Sequence, residues 1–169
     1  IEAYSPRIKF GGMFSNFVET SSIRLTAVYP EKEFKTVPLL PSRLIEGSKD
    51  LKQGEILIPE LLAKGMKVKV GDTAVIVATN ADGSVNGKQF TVAGILQSVV
   101  GPGGRDGYMH IDDAMDILRM DGKEISEFAI RLKDFGKLHK FGGKLETLLS
   151  GELNQQGNPI FESHTWEKL

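Results

Sequence analysis

The stretch "VKVGDTAVIVATNADGSVNGKQFTVAGIL", residues 68–96, limits the fold more than any other part of the chain. It enters through a Gly71-Asp72 turn into a strongly β-prone run from Thr73 to Ala78. Asp82-Gly83 and Asn86-Gly87 follow as hairpin signals, because both dipeptides tolerate the left-handed backbone of tight turns. Lys88 to Val100 reads as a long return strand, with Gly94 as a bulge or corner. A chain carrying such a unit must bury an antiparallel sheet. The unit holds almost no reactive side chains.

Elsewhere the pattern alternates between short strands and short helices. Ile23 to Tyr29 shows the period-two alternation of a half-buried strand, which Pro30 ends. Pro38 and Pro41 predict an extended, irregular connection, since proline cannot donate to a ladder. Arg43 to Glu55 is charged and turn-rich and reads as a surface loop. Ile56 to Ile58 reads as a strand, Pro59 as the first helical position, and Gly65 as the end of that helix. Met66, Val68 and Val70 alternate towards the next turn.

After "GPGGRDG", Tyr108 to Ile111 reads as a strand and Asp112 as the cap of a helix running to about Met120. Glu127 to Leu132 alternates as a strand. Leu138, Phe141, Leu145, Leu148 and Leu149 keep helical spacing, and Pro159 to Ser163 reads as a last strand. These signals predict an α+β fold in which a small, strongly bent sheet or partial barrel is joined to a β-α-β unit.

Composition narrows the chemistry. At 169 residues, with 40% hydrophobic and 25% charged residues, the chain is long enough for one core or two small lobes. A net charge of −1 with evenly spread Lys and Arg gives no concentrated basic face for a nucleic acid. The absence of cysteine excludes thiol catalysis, Cys-based zinc sites and disulfides. No apolar run approaches the roughly 20 residues that span a bilayer.

Each cluster that could carry chemistry has a plainer reading. Asp112, Asp113 and Asp116 could form an acid/base or divalent-metal site, but the first turn of a helix favours acidic residues on its own account. His110, His139 and His164 lack metal-ligand spacing. "GPGGRDG" lacks the Gly-Lys-Ser/Thr ending of a phosphate loop and precedes a strand. "SNFVETSS" offers hydroxyls without a nucleophile elbow. The sequence is therefore expected to be no enzyme, and to need no cofactor or metal.

The order of elements resembles a known family. "YSPRIKF", "IRLTAVYPEKEFKTVPLL", "EILIPELLAKGMKVKVGDTAVIV", "FTVAGIL", "YMHIDDAMDILRM" and "ISEFAIRLKD" resemble, in this order, segments of the extracytoplasmic core domain of FtsX/MacB-superfamily ABC transporter permeases. The similarity is greatest to the LolC/LolE-like, lipoprotein-releasing type. "HTWEKL" resembles the "TW.EL" before the second membrane helix of such permeases, and Trp166 suits a membrane-proximal, interfacial place.

The resemblance implies a mixed two-lobe α+β domain, with residues 1–30 and 123–169 in a membrane-proximal α/β lobe and 31–122 as an inserted β-rich lobe. It implies a periplasmic domain of an inner-membrane protein, tied through membrane helices to a cytoplasmic ATPase that moves cargo. The most direct expectation is handover of lipoproteins to a periplasmic carrier. Efflux with an adaptor protein, or a free-standing binding module, are the alternatives. The expected partner-contact element is the loop Gly101, Pro102, Gly103, Gly104, Arg105, Asp106, Gly107 and Tyr108, because Arg and Tyr are favoured at binding hot spots.

Overall fold

The computed structural model of the chain describes residues 1–101, 103–122 and 124–168. The eight strands in chain order are β1 (Ala3–Ser15), β2 (Thr20–Val28), β3 (Leu44–Gly47), β4 (Glu55–Pro59), β5 (Thr73–Thr79), β6 (Val85–Leu96), β7 (Gly107–His110) and β8 (Glu127–Arg131). Among the described residues five α-helices accompany them: α1 (Pro30–Thr36), α2 (Leu39–Ser42), α3 (Glu60–Met66), α4 (Ile111–Leu118) and α5 (Leu138–Leu149). The fold is α+β, as expected.

Six strands close into a ring. β1 pairs β2, β2 pairs β7 in parallel, β7 pairs β4, β4 pairs β6 in parallel, and β6 pairs β5. β5 then returns to β1 through Met13↔Val77, Phe14↔Ile76 and Ser15↔Val75. The bent sheet expected from residues 68–96 is thus a small barrel rather than an open sheet. Closure leaves few edges to pair with other chains. β8 adds to the far end of β1, and β3 to the end of β6.

Ile8, Phe14, Ile23, Leu25, Ile56, Ile58, Ile76, Phe90, Val92 and Met109 belong to the main core, together with Ile111 and Ile117 of α4. A second cluster of Val28, Leu40, Leu51, Leu57, Leu96 and Tyr108 buries the opposite face of β4. This two-sided burial is why Ile56 to Pro59 of β4 is an unbroken apolar run rather than an alternating one. The bulge expected near Gly94 is present: Ile56 faces Val92 but Leu57 faces Gly94. A Cβ on Gly94 would come within 2.7 Å of Leu44 Cδ1 and 3.0 Å of Leu57 Cδ2 and Ser48 O, so a larger residue there would have to displace these neighbours.

Several local expectations are corrected. The irregular connection after Pro30 is helical, because Tyr29 is an N-cap, Pro30 opens the first turn and Glu31 and Glu33 favour its positive end. Part of the loop 43–55 is β3. α3 does not stop at Gly65 but runs to Met66, with Lys67 in the left-handed conformation at φ 52°, so Met66 to Val70 is not a strand. β6 ends at Leu96 rather than Val100. The cap of α4 is His110, whose Nδ1 accepts from Asp112 N, and not Asp112. Pro159 makes only an isolated bridge to Leu153, so the expected last strand is missing and the β-α-β unit is incomplete.

Contacts divide the chain into residues 3–131 and residues 132–169 with 1–2. The boundary expected after residue 30 falls inside the ring instead. β1 and β2 are two of its six strands, so residues 3–28 cannot be separated from the rest of the ring. In the second unit, α5 contributes no buried residue: Leu138, Phe141, Leu145 and Leu149 are half-buried and Leu148 is exposed. Trp166 is 65% exposed.

Tyr108, 7% exposed in the second cluster, carries a pH prediction. Burial pushes its phenol up, Arg7 and Arg43 pull it back, and Glu33 and Asp106 push it further up; the outcome is a raised pKa. A raised folded-state pKa contributes stability that is intact below the usual tyrosine value near 10.0 and is lost as pH rises through the higher folded value. Lys88 is raised too and acts with the same sign. Urea unfolding should therefore show stability falling above about pH 10, with a shallower fall in Tyr108→Phe. An identical slope in the variant would contradict this assignment.

Candidate functional site

The acidic cluster resolves into structural pairings. Asp113, 1% exposed, accepts from Gly54 N at 2.8 Å and from Lys88 Nζ at 2.7 Å. Asp116 takes the same ammonium at 2.8 Å, and Asp112 accepts from Gln53 Nε2 at 2.9 Å. Burial pulls Lys88 down, but the two carboxylates outweigh it and hold the ammonium above its usual value. The three carboxylates thus fasten α4 to β6 and to the turn before β4.

The histidines do not converge. His110 caps α4 and meets the Tyr29 ring edge-on at 5.8 Å, while His139 and His164 lie beside Glu167 and Glu162. Among the described residues no group of three or more His, Asp or Glu could hold a metal ion.

The loop 101–108 is held more tightly than its glycines suggest. Arg43 donates from Nε to Gln97 O at 3.0 Å and from Nη2 to Gly104 O at 2.9 Å. Val99 N donates to Gly104 O, and Gly104 N to Gly101 O. A Cβ on Gly104 would run into the Val99 carbonyl, so the tight turn requires glycine there. Gly101 and Gly103 have φ of 118° and 68°, the region glycine enters freely.

Of the eight residues expected to meet a partner, Pro102 lies outside the described residues. Gly101 and Arg105 are exposed and Gly103 is half-buried. Gly104, Asp106, Gly107 and Tyr108 are buried, and the Tyr108 ring packs inward as part of the second cluster. Its burial corrects the picture of Tyr108 as an outward anchor.

Asp106, 3% exposed, ties the loop to β2. Its Oδ2 accepts from Thr26 Oγ1 at 3.1 Å, and Arg24 Nη2 lies 3.1 Å from its Oδ1. That second contact is an ion pair without a hydrogen bond. The Arg24 side chain is 70% exposed, so it screens the buried carboxylate from the solvent side.

Arg24 and Arg105 stand at one end of a groove of about 910 Å³ on the barrel. One wall is the start of β2, from Thr20 to Arg24, and the other is α3 with Leu61, Leu62, Gly65 and Met66. Glu19 marks the end away from the two arginines.

Beside Glu19, the β1–β2 turn presents Phe17 (64% exposed) and Val18 (90% exposed). Asn16 rigidifies this turn: its Oδ1 accepts from Val18 N at 2.9 Å and Glu19 N at 2.8 Å, and its Nδ2 donates to Met66 O. Phe17 has φ 73°, a conformation that costs a non-glycine residue free energy and persists because the turn over-determines it. Sequence reading missed both the groove and this tip. The only local signal was the apolar pair Phe17-Val18 inside a polar run.

No protein-family model matches the chain, and no curated protein does. Solved structures are more informative. The chain is similar to the extracellular domain of the noncanonic ABC-type transporter YknZ from Gram-positive bacteria, with TM-score 0.64 and 12% identity, covering 90% of this chain and 76% of that one. It is also similar to a domain of a protein described as a permease from Porphyromonas gingivalis, with TM-score 0.52 and 16% identity, covering 88% of this chain and 64% of that one. At these identities the likeness shows a shared fold: the closed ring with its appended helices is an architecture also found in an extracellular domain of an ABC-type transporter.

Proposed function

We propose that this chain is an extracytoplasmic domain of an ABC transporter permease, working with a cytoplasmic ATPase through membrane helices encoded beside it. The observation that carries this reading is the fold shared with the YknZ extracellular domain over 90% of the chain. The ordered motifs that resemble the FtsX/MacB superfamily add to it. No helix among the described residues is long and apolar enough to cross a membrane, so the membrane attachment in this reading is supplied by flanking sequence, with Trp166 at the membrane side.

Within that class we propose handover of lipoproteins from the inner membrane to a periplasmic carrier, because the "PRI…PEKE" region resembles the LolC/LolE-like type. The contact element is the exposed part of the 101–108 loop, above all Arg105. The domain contributes binding and motion and no bond chemistry of its own. The tight pairing of Asp112, Asp113 and Asp116 with groups of the fold supports that assignment.

The test is a pull-down from the source organism's envelope with the wild-type domain and with Arg105→Glu. Retention of a small lipid-carrying protein by the wild type alone supports handover at this loop. Retention of a long coiled-coil adaptor moves the protein to efflux. A complete gene that encodes no membrane helices around this segment removes the transporter reading altogether.

A further inference from the structure

β2 has two edges, and one of them is only half used. Along one edge it pairs β1 from Thr20 to Val28; along the other it pairs β7 only from Leu25 to Val28. The alternation of the β1–β2 ladder shows which groups are left over. Arg7 O and Lys9 N turn outward to Ser126, and these residues lie opposite Val28 and Thr26. Antiparallel pairs alternate between inward and outward groups, so Thr20, Ser22 and Arg24 direct their N–H and C=O away from β1. The Arg24 carbonyl lies where the parallel pairing of Leu25 with Gly107 begins, so β7 takes it, and no strand among the described residues takes the outward groups of Thr20 and Ser22. They form one wall of the groove.

We propose that this groove binds an extended segment of a partner polypeptide, which adds as a strand to the free edge of β2, in line with β7, with an acidic residue at the arginine end. Four observations converge. The open edge from Thr20 to Arg24 spans about 13 Å, enough to fix the register of a short strand. The facing wall, Leu61, Leu62 and Met66 of α3, offers apolar surface to alternate side chains. Gly65 leaves a gap in that wall, because no atom lies within 4 Å of where its Cβ would be. The charges are polarised: Arg24 and Arg105 against Asp106 leave a positive excess at one end, and Glu19 stands at the other. An acidic residue near Arg105 and a basic one near Glu19 set the direction of the incoming strand. The preorganised Phe17-Val18 tip flanks the Glu19 end and extends the apolar surface there. The inference stands on this groove and does not depend on the transporter reading.

The probe is a phage-displayed library of random peptides about nine residues long, panned against the full chain, with the recovered peptides synthesised for affinity measurement. The expected result is enrichment of extended, β-branched sequences with an acidic residue at one end and a basic residue at the other. Ser22→Pro removes an outward N–H that β1 does not use, which an edge position tolerates, and Gly65→Phe fills the gap in the α3 wall. Each should weaken the peptides by about tenfold or more. Arg105→Glu should reverse the preference from an acidic to a basic residue at that end.

Should Ser22→Pro fail to fold, Gly65→Phe carries the test, since its side chain enters open space. The proposal is overturned if no sequence is enriched, or if the peptides bind both variants as well as the wild type. Binding of anionic phosphatidylglycerol vesicles without any peptide binding would assign the arginine end to a lipid surface instead. A concentration-dependent dimer lost in Ser22→Pro would assign the edge to a second copy.

Discussion

Replacing Arg7 by methionine will lower the unfolding free energy by about 3–5 kcal/mol, the cost of leaving a buried charge without its partner. Glu33 is fully buried, and Arg7 grips it twice, from Nη2 to Oε1 at 2.6 Å and from Nε to Oε2 at 3.1 Å. The same guanidinium reaches Glu127 Oε1 at 2.8 Å and so ties α1 and β8 to β1. Burial by itself pulls Arg7 down, but the two carboxylates outweigh it and hold its pKa above the usual arginine value. It stays charged at every pH at which the fold exists.

The two halves of the pair are not equivalent. Glu33→Gln should cost less than Arg7→Met, because Arg7 is partly exposed and keeps Glu127, whereas Glu33 has no water to turn to. The double variant Arg7→Met/Glu33→Leu should recover most of the loss, since apolar replacement of a whole buried pair is often neutral or better. Urea denaturation of the four proteins gives the coupling energy directly. An Arg7→Met variant within about 1 kcal/mol of wild type would show that Glu33 finds another partner. The same variant should raise the Tyr108 phenol further, because Arg7 is one of the two cations that pull it down.

Phe14→Ala should also lose about 3–5 kcal/mol, for a different reason. Phe14 is fully buried and lies on β1 opposite Ile76, in the middle of the seam of three residue pairs where β5 closes the ring. Removing the ring leaves a cavity in the core and also weakens a short junction that has little else to hold it. Phe90→Ala removes a ring of the same size from β6, which pairs β5 along its full length from Thr73↔Thr91 to Thr79↔Val85. Amide hydrogen exchange separates the two effects: Phe14→Ala should speed exchange selectively along β1 and β5, and Phe90→Ala should not. Equal exchange profiles would mean that the cavity, rather than the seam, sets the cost.

Local sequence patterns carried most of the strands. β2, β5, β6 and β8 were legible because period-two alternation and the Asp82-Gly83 turn act over a few residues, and β4 because an apolar run between turns has few other solutions. The turn expected at Asn86-Gly87 is instead part of β6, paired with Ala78 and Val77. The helix α1 was not legible. "PEKEFKT" holds only one large apolar residue, Phe34, and its buried face includes Glu33, which becomes acceptable only when Arg7, 26 residues away, is folded against it. The cap of α4 was misassigned because an aspartate at the first turn outranks a histidine by propensity, while the chain direction out of β7 puts His110 at the capping position. The strand expected at 159–163 failed because it finds no long neighbour to pair with.

For the site, the sequence singled out the 101–108 loop and its Arg105, but could not tell that Tyr108 packs inward, since the same loop can face either way until Arg43 and Asp106 anchor it. The groove was invisible for a related reason. It exists because β7 begins only at Gly107, opposite Leu25, and leaves that edge of the earlier part of β2 without a strand.

By itself, then, the sequence determined the α+β class, the hairpin turn at Asp82-Gly83, the bulge at Gly94 and the absence of thiol chemistry, because each depends on residues close together in the chain. The tertiary structure alone decided that the sheet closes, that β1 and β2 belong to the ring, which carboxylates are spent on structural pairing, and where an edge stays open. Those outcomes depend on which distant strands meet, and the energy that selects them is burial and charge pairing shared between segments that no local pattern connects.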